Sequence, residues 1–130
     1  MIGLVLVTHA GIAEELRTAA EMIVGPLECV ETVGIRPGDA ADGIMERIAD
    51  AVKKVSAGGA VIMTDMFGGT PSNMSLSFLE ADRIEVLTGV NLPMLMKFAA
   101  ERHRDTVAGL AARLKECGRE SIAVAGDYLK

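Results

Sequence analysis

Apolar positions fall into two alternating rhythms along this chain. Residues 2–7, IGLVLV, form an unbroken apolar run of strand length, the pattern of a strand covered on both faces. From Ile12 the spacing changes: Ile12, Leu16, Ala19 or Ala20, and Ile23 recur at helical intervals, with Glu14, Glu15, Arg17 and Glu21 between them. Gly25 and Pro26 end that helix. Residues 28–34, ECVETVG, alternate loosely and predict a second strand near a sheet edge. After the turn RPGDAADG, with Asp39 or Asp42 as the cap, comes a helix whose apolar face is Ile44, Ile48, Ala51, Val52 and Val55. The AGG at 57–59 stops it.

A third buried strand, AVIMTDM, occupies 60–66. FGGTPSN then turns into a helix with Thr70 as N-cap and Pro71 in the first helical position; Met74, Leu76, Phe78 and Leu79 give it apolar content. RIEVLTG at 83–89 predicts a fourth strand, Pro93 starts a Met- and Ala-rich helix, and residues 105–117 form another, closed by Gly118. SIAVAG at 121–126 alternates as a short last strand. Strands and helices thus alternate, and right-handed βαβ crossovers follow from that order. The expected fold is α/β, doubly wound, a mostly parallel sheet with helices on both faces.

Composition narrows the class. At 130 residues one domain is expected, with a core that is aliphatic because only 3% of residues are aromatic and Trp is absent. A net charge of −5 argues against a nucleic-acid partner, which needs clustered Lys and Arg. Cys29 and Cys117 show no metal-ligand spacing and read as reduced thiols. No apolar run approaches the ~18 residues of a membrane span, and the N-terminus does not read as a signal peptide. A cytoplasmic protein without membrane insertion is expected.

In an open parallel sheet, ligands sit beyond the carboxyl ends of the strands, where strand order reverses. Thr8, His9, Ala10 and Gly11 leave the first strand; Thr64 to Thr70 leave the third; Thr88 to Asn91 leave the fourth. If strands one and three are neighbours, His9 and Asp65 face each other. Singly, each residue has a structural use: a strand-end histidine, an Asx turn at Asp65, an N-cap at Thr70, turn conformations at Gly68 and Gly69, loop shaping at Asn91. Together they make a histidine whose tautomer a carboxylate fixes, beside a helix N-terminus with backbone N–H groups suited to an anion. That combination points to phosphoryl transfer onto histidine.

Other chemistries fit less well. GxxxxGK[ST] and GxGxxG are both absent. A phospho-aspartate receiver would carry an acidic pair where Thr8 and His9 stand. His103, in the charged AERHRD, reads as a solvated helix-end residue, and the Met-rich LPMLMKF as packing. No metal and no cofactor are expected.

Five segments carry a resemblance over nearly the whole chain: GLVLVTHAGIAEEL, AEMIVG, VIMTDMFGGTPSNMS, VLTGVNLPML and CGRES. In order and spacing they resemble the enzyme IIA component of the mannose/fructose/sorbose class of the bacterial phosphoenolpyruvate-dependent sugar phosphotransferase system (PTS). The resemblance implies a sheet in 2-1-3-4 order and a homodimer whose C-terminal antiparallel strand, here near 121–126, is exchanged between subunits. It implies His9 as phosphoacceptor, Asp65 as the residue orienting the imidazole, and Thr70 with Gly68 and Gly69 as phosphoryl-binding. It implies HPr as donor and an enzyme IIB partner as acceptor. Phe67 fits the aromatic position of the motif. No Pro/Ala-rich linker or IIB domain follows the last strand, so residues 1–130 are expected to be a single IIA domain with IIB on a separate chain. The phosphotransfer subunit of dihydroxyacetone kinase, a regulatory IIA and a flavodoxin-like binding module remain as alternatives. The sugar is not readable, because a IIA domain does not touch it.

Overall fold

The structure, a computed structural model, describes residues 1–129; Lys130, the last residue of the expected domain, lies outside them. Strands β1 (Gly3–His9), β2 (Val30–Ile35), β3 (Ala60–Thr64) and β4 (Ile84–Thr88) form one parallel sheet in the order β2-β1-β3-β4. Between and after them run helices α1 (Ile12–Val24), α2 (Ala41–Val55), α3 (Gly69–Leu76), α4 (Leu92–Glu101) and α5 (Val107–Glu120). The doubly wound fold and its strand order are as expected.

The continuous apolar runs resolve into two alternating faces. Leu4 and Leu6 of β1, with Val61 and Met63 of β3, pack with Ala13 and Ala20 of α1, Leu95 and Phe98 of α4, and Leu110 and Leu114 of α5. Val5, Val7 and Ile62 point the other way, onto Ile44, Ile48, Val52 and Val55 of α2, with Met74 and Phe78 at the margin. Residues 4–8 of β1 and 60–64 of β3 are inaccessible to water, and truncating one such leucine to alanine costs about 2–5 kcal/mol. They are therefore a rigid base for whatever leaves their ends.

Four expectations are corrected. Neither Asp39 nor Asp42 caps α2: Ala40 holds the N-cap position without a side-chain bond, while Asp39 Oδ2 accepts the Arg36 N–H at 2.8 Å. Thr70 does not cap α3, which starts at Gly69 with Gly68 as N-cap, so Pro71 is the third helical residue, and Phe78 and Leu79 lie beyond the helix. Gly118 does not close α5, which continues to Glu120; a Cβ at Gly118 would stand 2.6 Å from Met94 Sδ, so the glycine admits α4 rather than ending α5. Residues 121–126 form no strand: the chain leaves α5 and ends in a short 3-10 helix, Ala125–Leu129. A strand needs a neighbouring strand for its backbone groups, and among the described residues this exposed segment bonds only locally, Ser121 N–H to the Cys117 carbonyl and Ile122 N–H to that of Arg119.

Candidate functional site

The site is built where β1 outruns β3. Val7 is the register partner of Thr64, the last residue of β3, while β1 continues along β2 until His9 pairs with Ile35. His9 therefore projects past the end of β3, over the first residue of the following loop, Asp65. Asp65 Oδ2 accepts two bonds from it: the His9 backbone N–H at 3.0 Å and ring Nδ1 at 2.7 Å. A carboxylate only accepts, so the ring proton sits on Nδ1, and the lone pair of the other nitrogen, Nε2, is left for chemistry. The His9 side chain is 47% exposed and that of Asp65 13%. Burial alone pushes the Asp65 carboxyl up. The His9 backbone N–H, the ring hydrogen bond and the ring's charge together outweigh it and hold the group below its ordinary value. Asp65 Oδ1 is buried and has no hydrogen-bond partner among the described residues.

Two devices hold the turn after His9. Thr8, fully buried, accepts the Ala13 N–H on its hydroxyl at 2.8 Å and donates to the His9 carbonyl at 3.1 Å. It thereby supplies α1 with the cap that its N-cap residue, Gly11, lacks. Ala10 sits in the left-handed region at φ 48° and donates to the Ile35 carbonyl at 2.8 Å. Gly34 makes room for it: a Cβ there would lie 2.3 Å from the Ala10 carbonyl oxygen.

The N-terminus of α3 meets the other side of the ring. A Cβ on Gly69, where φ is 80°, would lie 3.4 Å from His9 Cε1 and 3.6 Å from Nε2. A side chain there would rest in contact with the Nε2 side of the ring, which the bare glycine backbone leaves uncovered. No side chain caps the first turn of α3, so its N–H groups and dipole remain available to an anion. Thr70 lines a cavity of about 400 Å³ together with His9, Ala10, Ile35, Arg36 and Pro37. The structure thus brings His9, Asp65, Gly68, Gly69 and Thr70 to one corner of the molecule, and Met66 and Phe67 stand exposed beside them. Asn91 is elsewhere employed: its Oδ1 accepts the Met94 N–H at 3.3 Å at the start of α4, and its Nδ2 donates to the Gly118 carbonyl. His103 is exposed in the turn after α4.

The sequence reading passed over Thr8 as a cap and Arg36 as a lining residue. Both were within reach of its own rule. Thr8 is the penultimate residue of β1, five positions before a helical N–H that it satisfies, and Arg36 is the residue leaving β2.

Comparison with known proteins decides the lineage of this site. Residues 3–115 match the EIIA-man family, the PTS system fructose IIA component. The chain belongs to this family. A mannose-specific EIIAB component of the PTS from Escherichia coli (strain K12) is 34% identical over 124 residues, which cover 93% of this chain but 38% of that relative's length. A sorbose-specific EIIA component from Lacticaseibacillus casei is 29% identical over 118 residues, covering 90% of this chain and 86% of that one. The crystal structure of an EIIA component from Streptococcus agalactiae superposes with a TM-score of 0.88 at 27% identity, covering 98% of this chain and 99% of that one. These EIIA matches do not favour the dihydroxyacetone-kinase or binding-module alternatives. Among the described residues, no helix of this EIIA protein is long and apolar enough to cross a membrane.

Proposed function

We propose that the chain is a phosphocarrier of a sugar phosphotransferase system. His9 takes a phosphoryl group on Nε2 from a phosphohistidine of HPr and passes it to an enzyme IIB partner. The observation that carries this reading is the 2.7 Å contact between His9 Nδ1 and Asp65 Oδ2, which leaves Nε2 against the N-terminus of α3. As phosphorus arrives, the ring becomes cationic and the Asp65 carboxylate offsets that charge. The N–H groups at the start of α3 and the Thr70 hydroxyl face the phosphoryl oxygens. The names of the relatives, mannose, sorbose and fructose, agree on a hexose as the final acceptor without choosing among them.

The second half of the proposal is a homodimer. Ile122 and Val124 are more than half exposed, and β4 is an edge strand of the sheet. Pairing of residues 121–126 with a second copy would cover both.

The test is incubation with phosphoenolpyruvate, enzyme I and HPr, followed by intact mass. One phosphoryl group per chain is expected, and none on His9→Ala with its fold retained. The label should be lost in acid, because a protonated imidazole is a good leaving group, and persist in alkali. Phosphorus NMR should place it on Nε2. An acid-stable label, or a labelled His9→Ala, would overturn the reading.

A further inference from the structure

We propose that the Arg36 guanidinium is a further catalytic group of this site, gripping the oxygens of the phosphoryl group carried by His9. The inference rests on the phosphocarrier reading and adds a full cation to the site. Ile35 is the register partner of His9, so the next residue, Arg36, leaves the sheet beside the Ala10–Gly11 turn. Its Nη2 lies 3.6 Å from where a Cβ on Gly11 would stand, which places the guanidinium over the turn that follows His9. It lines the cavity that also holds His9 and Thr70. Its backbone is fixed from behind, since Asp39 Oδ2 accepts the Arg36 N–H at 2.8 Å and Pro37 restricts the residue before it, Arg36 itself.

Charge separates Arg36 from its neighbour. Arg47 is engaged: its Nη2 donates to the Gly34 carbonyl at 2.9 Å and its Nη1 lies 3.6 Å from Asp39. The Arg36 guanidinium has no ion pair among the described residues. It is an exposed, unpaired cation beside a nitrogen expected to carry a dianion, in a chain of net charge −5. The helix N-terminus contributes roughly half a charge. A guanidinium supplies a whole one, in a planar fork that matches two phosphoryl oxygens.

The transfer balances without an additional base. The Nε2 lone pair forms the new N–P bond while the N–P bond of the donor phosphohistidine breaks, its electron pair returning to the donor ring. A donor ring protonated on its other nitrogen leaves as neutral imidazole. His9, already protonated on Nδ1, becomes the cationic phosphoimidazole opposite Asp65. No proton crosses between the proteins. Arg36 would act on the one thing that moves, the phosphoryl group, and would hold it best once it rests on His9.

The test compares wild type, Arg36→Gln, Arg36→Lys and, as a remote charge control, Lys54→Gln, which loses an exposed pair with Glu31. Each full-length chain is mixed with phospho-HPr and HPr at fixed ratios. The equilibrium fraction phosphorylated is read by intact mass, and KM for phospho-HPr from initial rates. Arg36→Gln should shift the equilibrium toward the donor about tenfold, the usual worth of a charge-assisted bond, with Arg36→Lys between it and wild type. Lys54→Gln should stay within about twofold, as surface pairs contribute little. An unchanged equilibrium with a raised KM would make Arg36 a docking residue and overturn the proposal. An equal shift in Lys54→Gln would overturn it too. Failure of the wild type to label on His9 would instead bring down the phosphocarrier reading itself.

Discussion

Replacing Asp65 with asparagine tests the site with almost no change of shape. Two losses follow from the geometry. On the proposed mechanism the ring turns cationic as it accepts phosphorus, and the carboxylate beside it, 2.7 Å away atom to atom, stabilises that charge. With charge centres ~4 Å apart and an effective dielectric of ~20, the attraction is about 4 kcal/mol. Because the ring is 47% exposed, screening leaves about half, ~2 kcal/mol. The second loss precedes reaction. A neutral amide oxygen binds the Nδ1 proton about half as strongly as a carboxylate, so the fraction of rings with a free Nε2 lone pair falls, worth another ~1–2 kcal/mol. Together, ~3–4 kcal/mol corresponds to about 10²–10³ in transfer rate. The assay is single-turnover transfer from phospho-HPr, quenched in alkali and read by intact mass. A mutant within about threefold of wild type would remove Asp65 from the mechanism and leave its contact with His9 purely structural.

The same carboxylate gives a pH prediction. The Asp65 carboxyl is pushed up by burial but held, on balance, below its ordinary 3.8 by the His9 N–H, ring and charge, so its contribution to stability is full above 3.8 and is lost as pH falls through the lower folded value. The stability gap between wild type and Asp65→Asn, from denaturant titrations, should therefore shrink as pH falls below about 4; a gap that widens below that pH would contradict this. Gly34→Ala should destabilise by about 1–3 kcal/mol, seen as a lowered Tm, because its Cβ would meet the Ala10 carbonyl at 2.3 Å; an unchanged Tm would mean that the turn after His9 yields freely. Light scattering at micromolar concentration should give twice the 13.7 kDa chain mass, and Ile122→Asp with Val124→Asp should halve it; a wild-type chain at 13.7 kDa would reject the dimer.

The parts of this molecule legible in its sequence are those set by short-range periodicity. The IGLVLV and AVIM runs could only be strands covered on both faces, and α2 announced itself through Ile44, Ile48, Val52 and Val55. Once β1 and β3 are neighbours, the meeting of His9 with Asp65 follows from where the two strands end. What stayed hidden depends on positions one residue wide or on a second surface. Thr70 and Asp42 look like caps, yet a cap is defined by where the helix begins, and Gly68 and Ala40 took those places. Thr8 reads as the end of the first strand, but its role as a cap stayed hidden because its partner, Ala13 N, lies across a turn whose shape depends on the left-handed Ala10. The alternation of SIAVAG is real, but alternation records a preference for a sheet, not the presence of one.

The exposure of His9 carries a kinetic consequence. On the proposed mechanism the acceptor nitrogen, Nε2, opens at a corner of the molecule bounded by the α3 N-terminus and the Ala10 turn. On the proposed phosphocarrier reading, donor and acceptor proteins dock on the same face, and not together. A carrier built this way follows ping-pong kinetics. Each partner, once relieved of its role, becomes a competitive inhibitor of the other, so flux responds to the ratio of phosphorylated to unphosphorylated donor as well as to its total amount.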